Sequence, residues 1–273
     1  MMDRAMRPRS KPAPQRRRES RPPRHRRFRG GAQHGGADAL VILYGWHTVT
    51  AALANAARNI RRLLATENAV RRLAEEGIDT QRFALEVVRP RALDALLTPD
   101  AVHQGLYAEA DPLPSPDLAD LASYGIVLVL DQITDPHNVG AILRTAAAFA
   151  VVAVVTTARH SPEATGVLAK SASGALEIIP VVSVQNLARA LETLKERGFL
   201  IVGLDSTAAV DLSAVPLEAP LALVLGAEGK GLRQGTRAAC HYLARLDLPG
   251  AIKSLNVSNA AALSLYIASR AVG

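Results

Sequence analysis

The stretch Ile126-Val-Leu-Val-Leu-Asp131-Gln-Ile-Thr-Asp-Pro-His-Asn138-Val-Gly140-Ala-Ile-Leu-Arg144-Thr-Ala-Ala-Ala-Phe149-Ala-Val151-Val-Ala-Val-Val155 decides the fold. A continuous apolar run, Ile126–Leu130, ends in a polar loop. A helical pattern follows over Val139–Phe149, then a second apolar run over Val151–Val155. Neither run alternates apolar with polar, so both read as strands buried on both faces, as in a parallel sheet covered by helices. The pattern continues down the chain. Strands are expected at Leu176–Val182, Leu200–Leu204, Leu221–Leu225 and Leu243–Leu248, and helices at Glu163–Ser171, Gln185–Arg197, Leu232–Cys240 and Asn256–Arg270. Strand–helix alternation predicts an open, doubly wound α/β domain over residues 121–273.

Upstream, residues 39–108 predict a small α/β domain. Helices are expected at Val49–Ala57, Glu67–Glu75 and Arg91–Leu97, and strands at Ile60–Ala65 and Leu85–Val88. Residues 109–120 carry Pro112, Pro114 and Pro116 and read as a stiff linker. Residues 1–38 hold almost no apolar side chains, so they cannot offset their ordering entropy and read as a disordered basic tail. Residues 1–36 contain eleven Arg and Lys11 against Asp3 and Glu19, a net +10, whereas the whole chain is +7. The positive excess therefore sits in the tail, which suits a polyanion such as RNA or serves as a solvated segment.

Several classes are excluded by what the chain contains. Cys240 is the only cysteine, which rules out an internal disulfide, and it reads as a small buried side chain. The longest apolar run, Val139–Ala158, is broken by Arg144, so no membrane span is expected. The tail is Arg-rich like a transit peptide, but Pro8, Pro12, Pro14, Pro22 and Pro23 would break an amphipathic helix, and a cytoplasmic protein is expected. No His/Cys/Asp cluster has metal-ligand spacing, so no metal is expected. His137 and His160 lie near the polar loops but read as structural or surface groups.

In a doubly wound sheet, ligands sit beyond the carboxyl ends of the strands. Three loops leaving those ends stand out. The first runs from Asp131 into the helix bearing Arg144; Asn138 reads as its N-cap, and Gly140 permits close backbone approach. Arg144 is the only charge between Asp135 and Arg159. It could snorkel from a buried helix, but with no acid nearby in sequence an anionic ligand explains it better, and phosphate suits its planar fork. The second is Leu225-Gly226-Ala-Glu228-Gly229-Lys230-Gly231-Leu-Arg233, a glycine-rich turn. It is neither a Walker A loop nor a G-x-G-x-x-G fingerprint, which removes a nicotinamide dehydrogenase from consideration; alone it fits a ligand loop or a plain turn equally. The third is Leu246-Asp-Leu-Pro249-Gly250-Ala-Ile-Lys-Ser254-Leu255-Asn256-Val-Ser258-Asn259, where a helix start carries more polar side chains than capping requires.

Together, in this order, the three loops resemble the SpoU/TrmH family of RNA ribose 2′-O-methyltransferases. Tyr44-Gly-Trp-His47 and His103-Gln-Gly105 resemble the small substrate-binding domain of members that modify a guanosine of 23S rRNA. The resemblance implies a knotted α/β domain, a homodimer whose active site draws on both chains, S-adenosyl-L-methionine as methyl donor and 23S rRNA as acceptor. It places Gly226, Leu246 and Leu255 on the donor through backbone contacts, with Thr156 or Thr157 adding to that pocket. It places Asn138, Arg144, Glu228, Ser254 and Asn259 near the acceptor. The family usually has proline directly after the residue matching Leu246, where this chain has Asp247. Within the family, tRNA or another rRNA nucleotide are alternative substrates, and a non-catalytic RNA-binding assembly factor is an alternative outside it.

Overall fold

Alternate residues of the central strands feed two different cores, which is why the sequence shows apolar runs without alternation. In the computed structural model, which describes residues 40–158 and 166–272, Ile126, Leu128 and Leu130 pack into one core and Val127 and Val129 into another. Leu221, Leu223 and Leu225 divide from Ala222 and Val224 in the same way.

The chain begins with a four-stranded sheet. Its elements are β1 (Val41–Tyr44), α1 (Trp46–Ala54), β2 (Ile60–Ala65), α2 (Glu67–Glu75), β3 (Leu85–Val87), α3 (Pro90–Asp94) and β4 (Leu106–Ala110), with strand order β1-β4-β2-β3. β1 and β4 are absent from the sequence reading, and β4 runs into the segment read as linker. Both are short, and each finds its partner only in the folded sheet, where β4 pairs antiparallel with β1 and β2.

The second sheet contains β5 (Ile126–Asp131), α4 (Pro136–Ala148), β6 (Ala153–Thr157), α5 (Gly166–Ala172), β7 (Val181–Val184), α6 (Leu187–Glu196), β8 (Leu200–Leu204), β9 (Val210–Asp211), β10 (Leu221–Gly226), α7 (Gln234–Ala238), β11 (Tyr242–Arg245) and α8 (Val257–Val272). All its strand pairs are parallel, in the order β7-β6-β5-β10-β8-β11-β9. The expected parallel α/β sheet is therefore present. The expected strand Leu176–Val182 is not. A 3-10 turn, Ala175–Glu177, follows Gly174 (φ 90°), and pairing starts only after Pro180, which lacks an amide hydrogen. The expected start of α5 at Glu163, the acidic-poor tail and His160 lie outside the described residues.

Helix α4 also begins earlier than its apolar pattern indicates. Asp135, not Asn138, is the N-cap: its carboxylate accepts from the His137 amide at 3.0 Å, and Pro136 occupies the first turn. Asn138 is thereby released for a contact across the molecule. Gly140 does permit a close approach, but to a neighbouring helix. A Cβ there would lie 2.4 Å from the Ser171 Cβ on α5. Cys240 is half-buried rather than buried; its thiol is pushed up to about 11, mainly by desolvation, so it is a poor nucleophile.

The two sheets are joined by a buried ion pair. Arg58, just before β2, meets Glu177 of the 3-10 turn at 2.6 Å, with side chains 3% and 4% exposed. Arg58 also donates to the Asp111 carbonyl at 2.8 Å, and Asn55 donates to Glu177 at 2.8 Å. Both charges are fully engaged, which is the condition for burying them at all. Arg58→Ala should therefore cost about 3–5 kcal/mol by leaving Glu177 buried and unpaired, while Arg58→Met combined with Glu177→Leu should recover most of that. Denaturant unfolding measures both; a loss below about 1 kcal/mol for Arg58→Ala would be the behaviour of a surface pair and would refute this assignment.

Candidate active site

The parallel strands β5, β10, β8 and β11 end at one edge of the sheet, and the three polar loops leave from there. Side-chain hydrogen bonds tie them together. Asn138 Oδ1 accepts from Asn256 Nδ2 at 2.9 Å, joining the first loop to the third. Glu228 Oε1 accepts from the Val257 amide at 3.0 Å, joining the glycine loop to the start of α8. Asn256 Oδ1 accepts from the Ser258 amide at 2.9 Å and so caps α8. The polar surplus at this helix start is thus accounted for: Asn256 caps, Glu228 takes a second free amide, and the carboxylate suits the positive end of the helix.

A third tie lies underneath. Asp131, fully buried at the end of β5, accepts from the Arg233 amide at 2.9 Å and from Arg233 Nε at 2.7 Å. It therefore fixes both ends of the glycine loop relative to the first loop, because Gly226 pairs in register with Asp131 itself. Gly226 has a packing reason to be glycine: a Cβ would lie 2.3 Å from the Gly231 carbonyl carbon. The loop folds back on its own base, and Gly229 and Gly231 take φ of 74° and 63°.

Beside these ties, the glycine loop, the third loop and the end of β8 line a cavity of about 270 Å³. Leu225, Leu246, Leu248 and Leu255 form an apolar wall, and Asp205, Arg245 and Lys253 supply charge. Gly226, Glu228, Leu246, Ser254 and Leu255 all line it. The other residues singled out from the sequence lie elsewhere. Thr156 lines a separate cavity of about 480 Å³ beside Arg58 and Glu177, and Thr157 is buried at the end of β6. Arg144 and Asn259 are exposed on α4 and α8, outside the cavity wall. Arg144 makes no ion pair among the described residues. His137 is exposed, with Nδ1 3.3 Å from Ser171 Oγ. Sequence reasoning did not select Asp131, Arg233 or Asn256. The signal was present in Asp131, a lone acid closing an apolar strand, but its partner is 102 positions away.

Residues 125–266 match the model of the SpoU rRNA methylase family. The chain belongs to that family. Residues 42–116 match the model of RNA 2′-O ribose methyltransferase substrate binding, so the four-stranded sheet is the family's substrate-binding domain. The 23S rRNA (guanosine-2′-O-)-methyltransferase RlmB of Pseudomonas putida is 37% identical over 245 residues, spanning 85% of this chain and 96% of that protein. The putative TrmH family tRNA/rRNA methyltransferase YacO of Bacillus subtilis is 37% identical over 77% of this chain and 87% of its own. Among solved structures, the SpoU methyltransferase AviRb of Streptomyces viridochromogenes, in complex with AdoMet, shares the fold with a TM-score of 0.71 at 24% identity, covering 84% of this chain and 89% of that one.

Against the SpoU family pattern, Asp247 has a physical explanation. Its amide donates to Asp211 Oδ2 at 2.8 Å, a bond that proline could not make. Its carboxylate accepts from Arg245 Nε at 2.7 Å, and Arg245 also donates to the Ala208 carbonyl at 2.8 Å. The Asp211 carboxyl is held below its usual range, first by the Ser213 hydroxyl, then by the Ser213 and Asp247 amides and the Arg245 charge. Here hydrogen bonds hold the loop where the family relies on a fixed φ.

Asp131→Ala should release Arg233 and loosen the glycine loop at a cost of about 1–3 kcal/mol, since Arg233 is exposed enough to be rehydrated. Hydrogen exchange should show faster exchange at the Arg233 amide, with β10 unchanged. Retained protection at Arg233 would refute the clamp.

Proposed function

We propose that this chain transfers the methyl group of S-adenosylmethionine to the ribose 2′-hydroxyl of a guanosine in 23S rRNA, working in the cytoplasm as a homodimer with a knotted catalytic domain. The observation that carries this reading is the cavity lined by the glycine loop and the third loop, with Glu228 on its wall and the first loop tied to the third through Asn138 and Asn256. The substrate follows from relatives named for that reaction at 37% identity over most of both chains.

The cavity suits the donor. Leucine side chains provide an apolar wall for a sulfonium that loses its charge during transfer, and the exposed backbone of the glycine loop and of Leu246 offers polar edges to a nucleoside. S-adenosylmethionine, when bound, would supply an electrophilic methyl group: the oxygen–carbon bond would form as the sulfur–carbon bond breaks, S-adenosylhomocysteine would leave, and the hydroxyl proton would pass to solvent. The residues of this chain must then hold the ribose in line and make its hydroxyl more nucleophilic. Arg144 is the group for this work. A guanidinium carries five hydrogen-bond donors and no acceptor, so it is not a base. It grips the phosphate beside the attacking ribose and stabilises the developing oxyanion, a contribution on the order of 3–4 kcal/mol for donors of this kind.

The position of Arg144 also supports the dimer. It lies outside the cavity and is exposed, as are Asn259, Leu263 and Tyr266 along α8. Leu263 and Tyr266 are large apolar groups one turn apart on α8, which packs against the helix that carries Arg144, and a second copy would cover them. The packing of α8 against α4, β10 and the turn Leu212–Ala214 supports a threaded C-terminus. No helix among the described residues is long and apolar enough to cross a membrane.

Arg144→Lys keeps the charge but loses the fork, so it should lose most single-turnover methylation while still binding donor by calorimetry; full turnover would overturn the role given to Arg144. Mixing Arg144→Ala protein with a variant blocked in the donor cavity, Leu255→Arg, should restore activity that neither has alone. If the mixed dimers stay inactive, the shared site is wrong.

A further inference from the structure

Two sequence motifs that the transfer reaction does not use meet at one place in the substrate-binding domain. Trp46, of the Tyr44-Gly-Trp-His47 motif, and His103-Gln104-Gly105 line a cavity of about 290 Å³ together with Asn68, Arg72 and Pro90, and none of these residues borders the cavity beside the glycine loop. We infer that this cavity is a subsite for one unpaired nucleotide of the RNA, distant in sequence from the reacting one; this rests on the proposed RNA methylation.

The chemistry of the walls is that of a nucleobase site. The Arg72 guanidinium lies 3.8 Å from the centroid of the Trp46 ring, and its Nε is held by Glu76 at 2.9 Å. The plane is therefore fixed on one side by the indole while the side chain remains 50% exposed. A fixed, exposed guanidinium plane is a surface on which an unstacked RNA base packs. Asn68 sits one turn earlier on the same face of α2, exposed and with no hydrogen-bond partner among the described residues, so its amide can read a base edge. Pro90 adds a flat apolar wall. On either side of it Arg89 and Arg91 are exposed and unpaired among the described residues, which provides for phosphate on a chain whose acids at this site, Glu76 and Asp94, are already engaged.

His103 is scaffold here, not a contact. Its Nδ1 accepts from the Gly105 amide at 2.9 Å and its Nε2 lies 3.1 Å from Asp94. Gln104 is held in a left-handed conformation, φ 52°, that a non-glycine residue rarely takes. The reason is its side chain: Oε1 accepts from the Trp46 amide at 3.0 Å and from Lys170 Nζ at 3.1 Å. Lys170 belongs to α5, which packs against α4 through Gly140 and Ser171. The floor of the subsite is thus fastened to the helix pair that carries Arg144. A nucleotide held at Arg72 sets where the RNA strand arrives at α4, so the subsite selects the RNA as well as adding affinity.

The test is steady-state methylation of unmodified 23S rRNA transcript by the full chain, with donor affinity measured in parallel. Asn68→Ala, a surface change, and Arg72→Lys, which keeps a cation over Trp46, should each raise KM for RNA on the order of tenfold, the size of one lost base stack, with kcat and donor affinity unchanged. Arg189→Ala, removing an exposed charge on α6, should leave KM at the wild-type value. Unchanged KM in both subsite variants overturns the subsite, as does an equal rise in Arg189→Ala, which would mark a general charge effect. A wild-type chain that binds no donor and methylates nothing overturns the proposed function instead, so the two failures are distinguishable.

Discussion

Strands β5 and β10 lie side by side with every side chain from Ile126 to Leu130 and from Leu221 to Leu225 buried. Nothing polar can be placed along them without an uncompensated desolvation cost. The first position where polarity is affordable is the residue that ends each strand, Asp131 and Gly226, and these two are paired in register. The catalytic architecture follows from that constraint. Asp131 is fully buried yet accepts two hydrogen bonds from Arg233, so the polar loops begin from a fixed point. Above the strand ends the loops are tied to one another, through Asn138 to Asn256 and Glu228 to Val257, as well as to the sheet through Asp131.

The substrate-binding domain is attached by different physics. It shares no strand with the large sheet; Ala169 and Leu176 pack into its apolar core, and polar links at named points are added to that packing. Arg58 and Glu177 form a buried, bidentate pair, and Lys170 donates to Gln104 and to the Val102 carbonyl. Links of this kind are directional, so they fix orientation more strictly than an apolar contact of similar size would. Both anchor on the α5 region and the turn after it, which packs on α4. An RNA bound to the small domain is therefore referenced to the helix that carries Arg144, not to the sheet.

The parallel sheet was legible because burial on both faces leaves a composition signature: Ile126–Leu130 and Leu221–Leu225 have no polar alternation to misread. Short strands left no such mark. β1, β4 and β9 are set by pairing, and the Leu176–Val182 run, as apolar as a true strand, was divided by Pro180. The candidate site was legible as polarity where polarity is not expected, at the strand ends, and Glu228, Ser254 and Leu255, read from it, line one cavity. It could not reveal pairings across more than a hundred residues, such as Asn138 with Asn256. Nor could strand-end position tell Thr156, which lines one cavity, from Leu246, which lines another beside the glycine loop.

Asp247 shows how hydrogen bonds can hold a loop at a position where the family resemblance leads one to expect proline. Proline holds φ near −65° by its ring and needs no partner. Here the same turn depends on Asp211 accepting from the Asp247 amide, on Arg245 donating to the Asp247 carboxylate, and on β9 bringing Asp211 beside β11. β9 is only two residues long and lies at the sheet edge. Its pairing of Asp211 with Arg245 is nevertheless what places the carboxylate under the donor loop. The backbone of Leu246 is thus positioned by a set of exposed or half-exposed charges, whose attraction weakens with salt, where a ring constraint would be indifferent to it. Donor affinity in this chain should accordingly carry an ionic-strength dependence that comes from the loop itself, separate from any salt effect on RNA.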